Sequence, residues 1–186
     1  DFVGPLGLPQ HVSRARHVVP VGGGLGVAPV YPQLRAFKEA GNRTTGIIGF
    51  RNKDLVFWEE TFGRYCDNLI VCTDDGSYGK PGFVTAALQE VLDNDRPDLV
   101  IAIGPLPMMN ACVETTRPSG VKTMVSLNAI MVDGTGMCGS CRVTVGHEIK
   151  FACVDGPDFD GHQVDFKELM LRQKRFKGEE TAANTD

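Results

Sequence analysis

The chain has 186 residues, 42% of them hydrophobic and 23% charged, with a formal net charge of −4. That length holds one ordinary domain and a small addition, and the composition is that of a soluble globular protein. The acidic balance speaks against nucleic acid as a partner, because phosphate neutralisation needs a clustered positive surface, and no apolar run approaches the ~20 residues of a membrane span.

The opening "DFVGPLGLPQ" lacks the basic and apolar regions of a signal peptide, and its "GPLG" reads as a turn with no preceding element. From His17 onward, short apolar runs alternate with helical ones. "HVVPV" (17–21) is the first expected strand. It runs through "GGGLGVAP" (22–29) into a helix over 30–41, with Leu34 and Phe37 at helical spacing and Gly41 as its stop. "TTGIIGF" (44–50) is the second strand. A helix is expected over 54–66 with Asp54 as N-cap. "NLIVCT" (68–73) is the third strand, and the helix over 82–94 carries Val84, Leu88 and Leu92 on one face. "DLVIAIG" (98–104), a helix over 105–117 and "KTMVSL" (122–127) complete the series. Continuous apolar strands separated by helices imply an α/β fold, a doubly wound five-stranded parallel sheet. After Leu127 the texture changes to a Gly-, Cys- and Asp-rich segment. A single amphipathic helix over 164–177 and a frayed end, "GEETAANTD", are expected to follow.

The turn "VGGGLGVAP" sits where a strand hands over to a helix. Glycines there let backbone N–H groups approach an anion, and the helix dipole adds to the attraction. It is neither a Walker sequence nor a GxGxxG fingerprint in register, and a tight packing turn is the plain alternative. Two further loops should reach the same sheet edge. "TDDGSYGKPG" (73–82) offers the Thr73 hydroxyl and the Asp74 and Asp75 carboxylates to ribose hydroxyls, which favours NAD(H) over NADP(H), although Lys80 weakens that preference. "GPLPMM" (104–109) offers Gly104 for close contact with a nicotinamide. Ordinary loop chemistry would account for either alone.

Six cysteines fall into two groups. Cys66, Cys72 and Cys112 are scattered in apolar surroundings and read as core residues. Cys138, Cys141 and Cys153 cluster, and the spacing fits an intracellular metal site better than a secreted disulfide framework. Asp133-x4-Cys138-x2-Cys141-x11-Cys153 is similar to the plant-type ferredoxin framework, with Asp133 at the first cysteine's position. Gly134, Gly136 and Gly139 would let the backbone wrap a cluster and donate N–H bonds to sulfur. Zinc on the same residues is the main alternative, which would make the chain a non-enzymatic nucleotide-binding module with a structural metal; His147 is a rival fourth ligand, and a metal-free thiol cluster comes last.

"PVGGGLGVAP", "GFRNKD", "CTDDGSYGKPG", "SLNAIMVDGTGMCGSCRV" and "ACVDGPDFDGHQVDF" together resemble one family. It is the electron-transfer subunit of sulfide dehydrogenase and the NADH-dependent reduced ferredoxin:NADP oxidoreductase (its small subunit), with the dihydroorotate dehydrogenase B electron-transfer subunit a near relative, all in the ferredoxin–NADP reductase-like superfamily. The resemblance runs from about Val3 to Phe176. It implies an FAD-binding β-barrel upstream, with residues 1–13 the remnant of its linker. Residues 14–127 would then be the NAD(P)-binding domain, 128–163 the 2Fe–2S segment and 164–186 a closing helix and tail. It implies nicotinamide-nucleotide binding by Gly22, Gly23, Gly24, Gly26, Thr73, Asp74, Asp75, Gly104, Pro105 and Met108, with Arg51 near the adenosine. It also implies a 2Fe–2S cluster on Asp133, Cys138, Cys141 and Cys153. The near relative has cysteine where this chain has Asp133, and Ile103 stands where the superfamily often places a cysteine before Gly104. No side chain need act as a catalytic acid or base. A larger flavin and iron–sulfur oxidoreductase subunit is the implied partner, in the cytoplasm, and the fragment alone is expected to be inactive.

Overall fold

The computed structural model describes residues 4–183. Its centre is a seven-stranded sheet in the order β4-β3-β2-β1-β5-β6-β9. The strands are β1 (His17–Gly23), β2 (Arg43–Phe50), β3 (Asn68–Thr73), β4 (Lys80–Pro81), β5 (Leu99–Ile103), β6 (Lys122–Ser126) and β9 (Asp158–Asp160). The five expected strands lie in the middle and are parallel. Two short edges bring the count to seven. β4 pairs in parallel with β3, and β9 runs antiparallel to β6. Every residue of β1 and β5 is buried, as expected when helices cover both faces of a sheet.

On one face lie α1 (Val27–Glu39) and α2 (Glu59–Gly63); on the other lie α3 (Val84–Asn94) and α4 (Leu106–Thr116). Val30, Leu34 and Phe37 of α1 are fully buried, as are Leu88 of α3 and Met109, Cys112 and Val113 of α4. α1 stops where the glycine predicts. Gly41 has φ +82, its N–H bonds Lys38 O at 2.9 Å, and the Asn42 N–H returns to Phe37 O at 3.2 Å. This is the double bond of a Schellman cap.

The expected helix over 54–66 is a correction. Only Glu59–Gly63 is α-helical. The Asn52 side chain accepts from the Asp54 N–H, so Asp54 sits inside a 3-10 turn and caps nothing. Trp58 then takes φ +61, a conformation that costs a bulky residue energy. Its ring packs edge-on against Tyr31 and Phe57, at 5.7 Å in each case.

The tail also departs from expectation. It forms two helices, α5 (Phe166–Gln173) and α6 (Lys177–Ala183), separated where Lys174 and Arg175 bond back only three residues. The end expected to fray is therefore helical through Ala183, and the last three residues lie outside the described ones. An unforeseen hairpin, β7 (Arg142–Val145) and β8 (Glu148–Phe151), turns at Gly146–His147, both with φ > 0 as a two-residue hairpin turn requires. Cys141, Val143, Ala152 and Cys153 share one core with α3, α4 and α5. Among the described residues, no helix is long and apolar enough to cross a membrane.

Candidate nucleotide and metal sites

The strand order reverses between β1 and β5, and ligands of open α/β sheets bind at the carboxyl ends of the strands at such a point. Gly22 and Gly23 end β1 there, and Gly104 follows β5. The two turns touch. A Cβ on Gly26 would lie 2.2 Å from Ile103 O and 2.7 Å from Gly104 Cα, so no side chain fits. Gly24 has φ +53, and Pro105 caps α4. The Met108 side chain lies against both turns; its Sδ would be 2.2 Å from a Cβ on Gly23. The structure thus brings Gly22, Gly23, Gly24, Gly26, Gly104, Pro105 and Met108 to one crevice.

The loops after β2 and β3 continue this edge and are stitched together. The Lys53 N–H donates to Ser77 Oγ at 2.8 Å, and the Asp74 and Asp75 N–H groups donate to Phe50 O and Arg51 O. Arg51 is exposed at this edge. The three polar side chains of the β3 loop are not equivalent. Thr73 is fully buried. Its hydroxyl donates to Tyr78 O at 2.6 Å and accepts the Tyr78 N–H at 3.0 Å. Asp75 Oδ1 accepts both the N–H and the hydroxyl of Ser77, which hold its carboxyl below the usual carboxylate range. Asp74 is exposed on the same loop. Lys80 is ion-paired with Glu90 of α3.

In the cysteine segment, Cys141 and Cys153 are buried with sulfurs 3.2 Å apart, and the Cys153 N–H points at Cys141 Sγ, 3.4 Å away. A tetrahedral metal with bonds of about 2.3 Å to sulfur holds two thiolates just under 4 Å apart, so this pair suits one metal atom. Burial, and then the neighbouring Cys141, push the Cys153 thiol above its usual range. Cys138 is exposed and receives the Ser140 N–H at 3.4 Å. Gly134, Gly136 and Gly139 all have φ between +64 and +88, and a Cβ on Gly136 would meet Val154 at 2.6 Å. α5 braces the loop: Arg172 donates to Ser140 O and Gln173 to Asn128 O.

Asp133 carries its own bonds. Its carboxylate accepts the Thr135 N–H at 2.7 Å and the Cys138 N–H at 2.8 Å, which hold it below the usual range. Each oxygen keeps a further lone pair. Among the described residues, no three His, Cys, Asp or Glu side chains converge into a finished metal site. The donor set still fits an iron–sulfur cluster: two thiols on the glycine-rich loop and a third in the turn after β8, with backbone N–H groups aimed at two of the sulfurs. His147 does not join it. It lies at the closed end of the hairpin, a full strand length (~13 Å) from the cysteine end. Cys72 and Cys112 are buried elsewhere, and Cys66 is half-buried.

Residues 128–165 match the iron–sulfur cluster binding domain of dihydroorotate dehydrogenase B. A Thermotoga maritima protein named as a homolog of the dihydroorotate dehydrogenase B (NAD(+)) electron transfer subunit is 48% identical over 97% of this chain and 64% of its own length. An uncharacterized Clostridium beijerinckii protein is 48% identical over all of this chain and 66% of its own length. The chain therefore spans about two thirds of the curated relatives it matches. Among solved structures, the NADH-dependent reduced ferredoxin-NADP oxidoreductase, described in connection with flavin-based electron bifurcation, aligns with TM-score 0.91 and 47% identity over all of this chain and 67% of that one. The C-terminal domain of a Pyrococcus furiosus hydrogenase shares the fold, at TM-score 0.56 and 24% identity over 67% of this chain and all of its own length. The α/β fold, the iron–sulfur binding segment and these matches across the whole of this chain lead to one assignment: the chain belongs to the family of dihydroorotate dehydrogenase B electron-transfer subunits and their homologues, in the ferredoxin–NADP reductase-like superfamily.

Proposed function

We propose that this chain is the nucleotide- and cluster-binding part of an electron-transfer flavoprotein subunit, which takes electrons from NAD(H) and delivers them to a larger oxidoreductase subunit in the cytoplasm. The observation that carries the reading is the pairing, in one packed unit, of a glycine crevice at the sheet's reversal point with a three-cysteine segment of cluster type. In this reading residues 14–127 bind the nucleotide, 128–163 bind a 2Fe–2S cluster and the C-terminal helices follow. Residues 1–13 lead in from an FAD-binding barrel. When bound, the flavin and the cluster supply hydride acceptance and one-electron transfer respectively.

The chain's own residues position and tune. Gly22, Gly23, Gly24 and Gly26 present backbone N–H groups to the pyrophosphate at the start of α1. Gly104, Pro105 and Met108 form the nicotinamide side, and Arg51 the adenosine side. Asp74 is the carboxylate for the ribose diol, because Thr73 and Asp75 are committed within their own loop. Asp74 would repel a 2′-phosphate, and Lys80 on the same loop is tied to Glu90, so NAD(H) is preferred over NADP(H). Cys138, Cys141, Cys153 and Asp133 hold the cluster. The sulfur-directed N–H groups favour added negative charge there and raise its potential. Asp133, a harder ligand than thiolate, sets this cluster apart from an all-cysteine one.

A second reading, the electron-transfer subunit of a dihydroorotate dehydrogenase B, is favoured by the names of the relatives and by the match over 128–165. The partner subunit separates the two. The test of the shared reading is anaerobic addition of NADH to the holoprotein carrying its flavin and cluster. Bleaching of the cluster's visible absorption is expected in the native protein and not in a Cys153→Ser variant. A cluster that NADH leaves oxidised while the flavin is reduced would end the relay.

A further inference from the structure

Away from the crevice and the cysteines, a cleft of about 400 Å³ opens beneath the sheet, lined in part by Asp158. Asp158 starts β9, five residues after Cys153. It meets Gln33 of α1, the helix that begins at the glycine turn: Gln33 Nε2 donates to Asp158 Oδ2 at 3.1 Å. The other oxygen of each group, Asp158 Oδ1 and Gln33 Oε1, is buried without a hydrogen-bond partner. Both are acceptors. A bare buried acceptor costs about 1–3 kcal/mol, more when it belongs to a charge, so two side by side need a shared remedy. A single proton on Asp158 Oδ1 turns that oxygen into a donor for Gln33 Oε1. The two side chains then form a closed acid–amide pair with two parallel hydrogen bonds.

We propose that Asp158 holds its proton above the pH at which exposed aspartates lose theirs and, paired with Gln33, acts as a pH-sensitive latch fastening β9 to α1. The surroundings agree. Burial is the largest influence on the Asp158 carboxyl and pushes it upward, against smaller downward pulls from the neighbouring Ser126 hydroxyl and the Gln33 hydrogen bond. The ionisable groups lining the same cleft are His11 from the leading segment, Asp98 before β5, Lys122 of β6 and Asp155 after β8. Two of these have work of their own: Asp98 holds the Arg16 and His17 N–H groups, and Asp155 holds that of Phe151. Nearby on α1, Arg35 pairs with Glu39 and Lys38 with Asp67.

β9 has only three residues and pairs on one side only, so a side-chain fastening matters to it. The latch joins the helix of the nucleotide turn to the strand leaving the cysteine loop. The native carboxyl keeps a proton that the unfolded chain gives up. The latch is therefore complete at low pH and is lost as pH rises through the raised native value.

Infrared difference spectroscopy of the intact chain, with aspartate carboxyls isotopically labelled, tests this. A protonated-carboxyl stretch should persist in a pH range where the exposed aspartates are already ionised. It should be absent from Asp158→Asn and shifted in frequency in Gln33→Leu, which leaves Asp158 in place if the first variant does not fold. Amide-exchange protection of β9, corrected for intrinsic rates, should fall with rising pH in the native chain and stay level in Asp158→Asn, whose own N–H can serve Gln33. A protonated band that disappears together with those of the exposed aspartates would overturn the proposal, since the two acceptors would then be bridged by a water and the carboxylate ionised.

Discussion

Replacing His17 with glutamine isolates the acid sensitivity built into the base of the sheet. His17 begins β1, is 1% exposed, and has Nε2 3.0 Å from Thr45 Oγ1 and Nδ1 2.9 Å from an Arg43 guanidinium nitrogen. Arg43 can only donate, so Nδ1 is the acceptor and the neutral Nε2–H tautomer is the one that satisfies both contacts. Burial, then Arg43, lower its pKa from 6.5 to about 4. The native state thus refuses a proton that the unfolded chain takes up, and stability present above pH 6.5 is lost as pH falls towards 4. At about 1.36 kcal/mol per unit, the ceiling is roughly 3 kcal/mol, of which about 2 kcal/mol is gone by pH 5. The assay is chemical denaturation of the native chain and of His17→Gln, both in the same cluster state, from pH 7.5 to 4.5. Glutamine cannot titrate, so the carboxylate contributions common to both chains cancel. The native chain should lose about 2 kcal/mol more than the variant by pH 5. Parallel stability profiles would refute a neutral buried His17.

Three further outcomes follow from the sites. Asp133→Cys should keep a cluster while shifting its midpoint potential, and a redox titration that finds the potential unchanged would argue that Asp133 is no ligand. Gly26→Ala places a methyl group 2.2 Å from Ile103 O; it should cost about 1–3 kcal/mol of stability and weaken NADH binding, as read by denaturation midpoint and fluorescence titration. Asp74→Ala should weaken NADH binding about tenfold or more, as expected for losing hydrogen bonds to a charged group, and should narrow the preference over NADPH. The same change at Asp75 should act through loop order and weaken both nucleotides alike.

The parallel core of this fold was legible because its strands are continuous apolar runs, and the periodic Val84, Leu88 and Leu92 of α3 are buried as their spacing requires. What escaped had weak local signals. β4 is two residues inside a glycine turn, and β9 is three residues whose partner strand lies more than thirty positions earlier. The β7–β8 hairpin carries a signal, Gly146–His147 between two four-residue runs, but the surrounding cysteines and glycines mask it with the texture of a metal loop. The segment after β2 had helical composition, yet the Asn52 cap and the packing of Trp58 on Tyr31 outweighed it. At the sites, residue types were legible and orientations were not. Thr73, Asp74 and Asp75 look interchangeable as ribose partners in sequence, and only the turn's own hydrogen bonds separate them. The contact between Gln33 and Asp158 joins residues 125 positions apart and has no sequence signature.

The central claim is that the segment carrying Asp133, Cys138, Cys141 and Cys153 holds a two-iron cluster. Iron, zinc and acid-labile sulfide should be quantified per chain on anaerobically prepared protein, together with the electron paramagnetic resonance of its reduced form. Two irons and two sulfides per chain, with a one-electron signal that Cys138→Ser and Cys153→Ser each abolish and Cys112→Ser does not, is the predicted result. One zinc per chain, no sulfide and no visible absorption would contradict it.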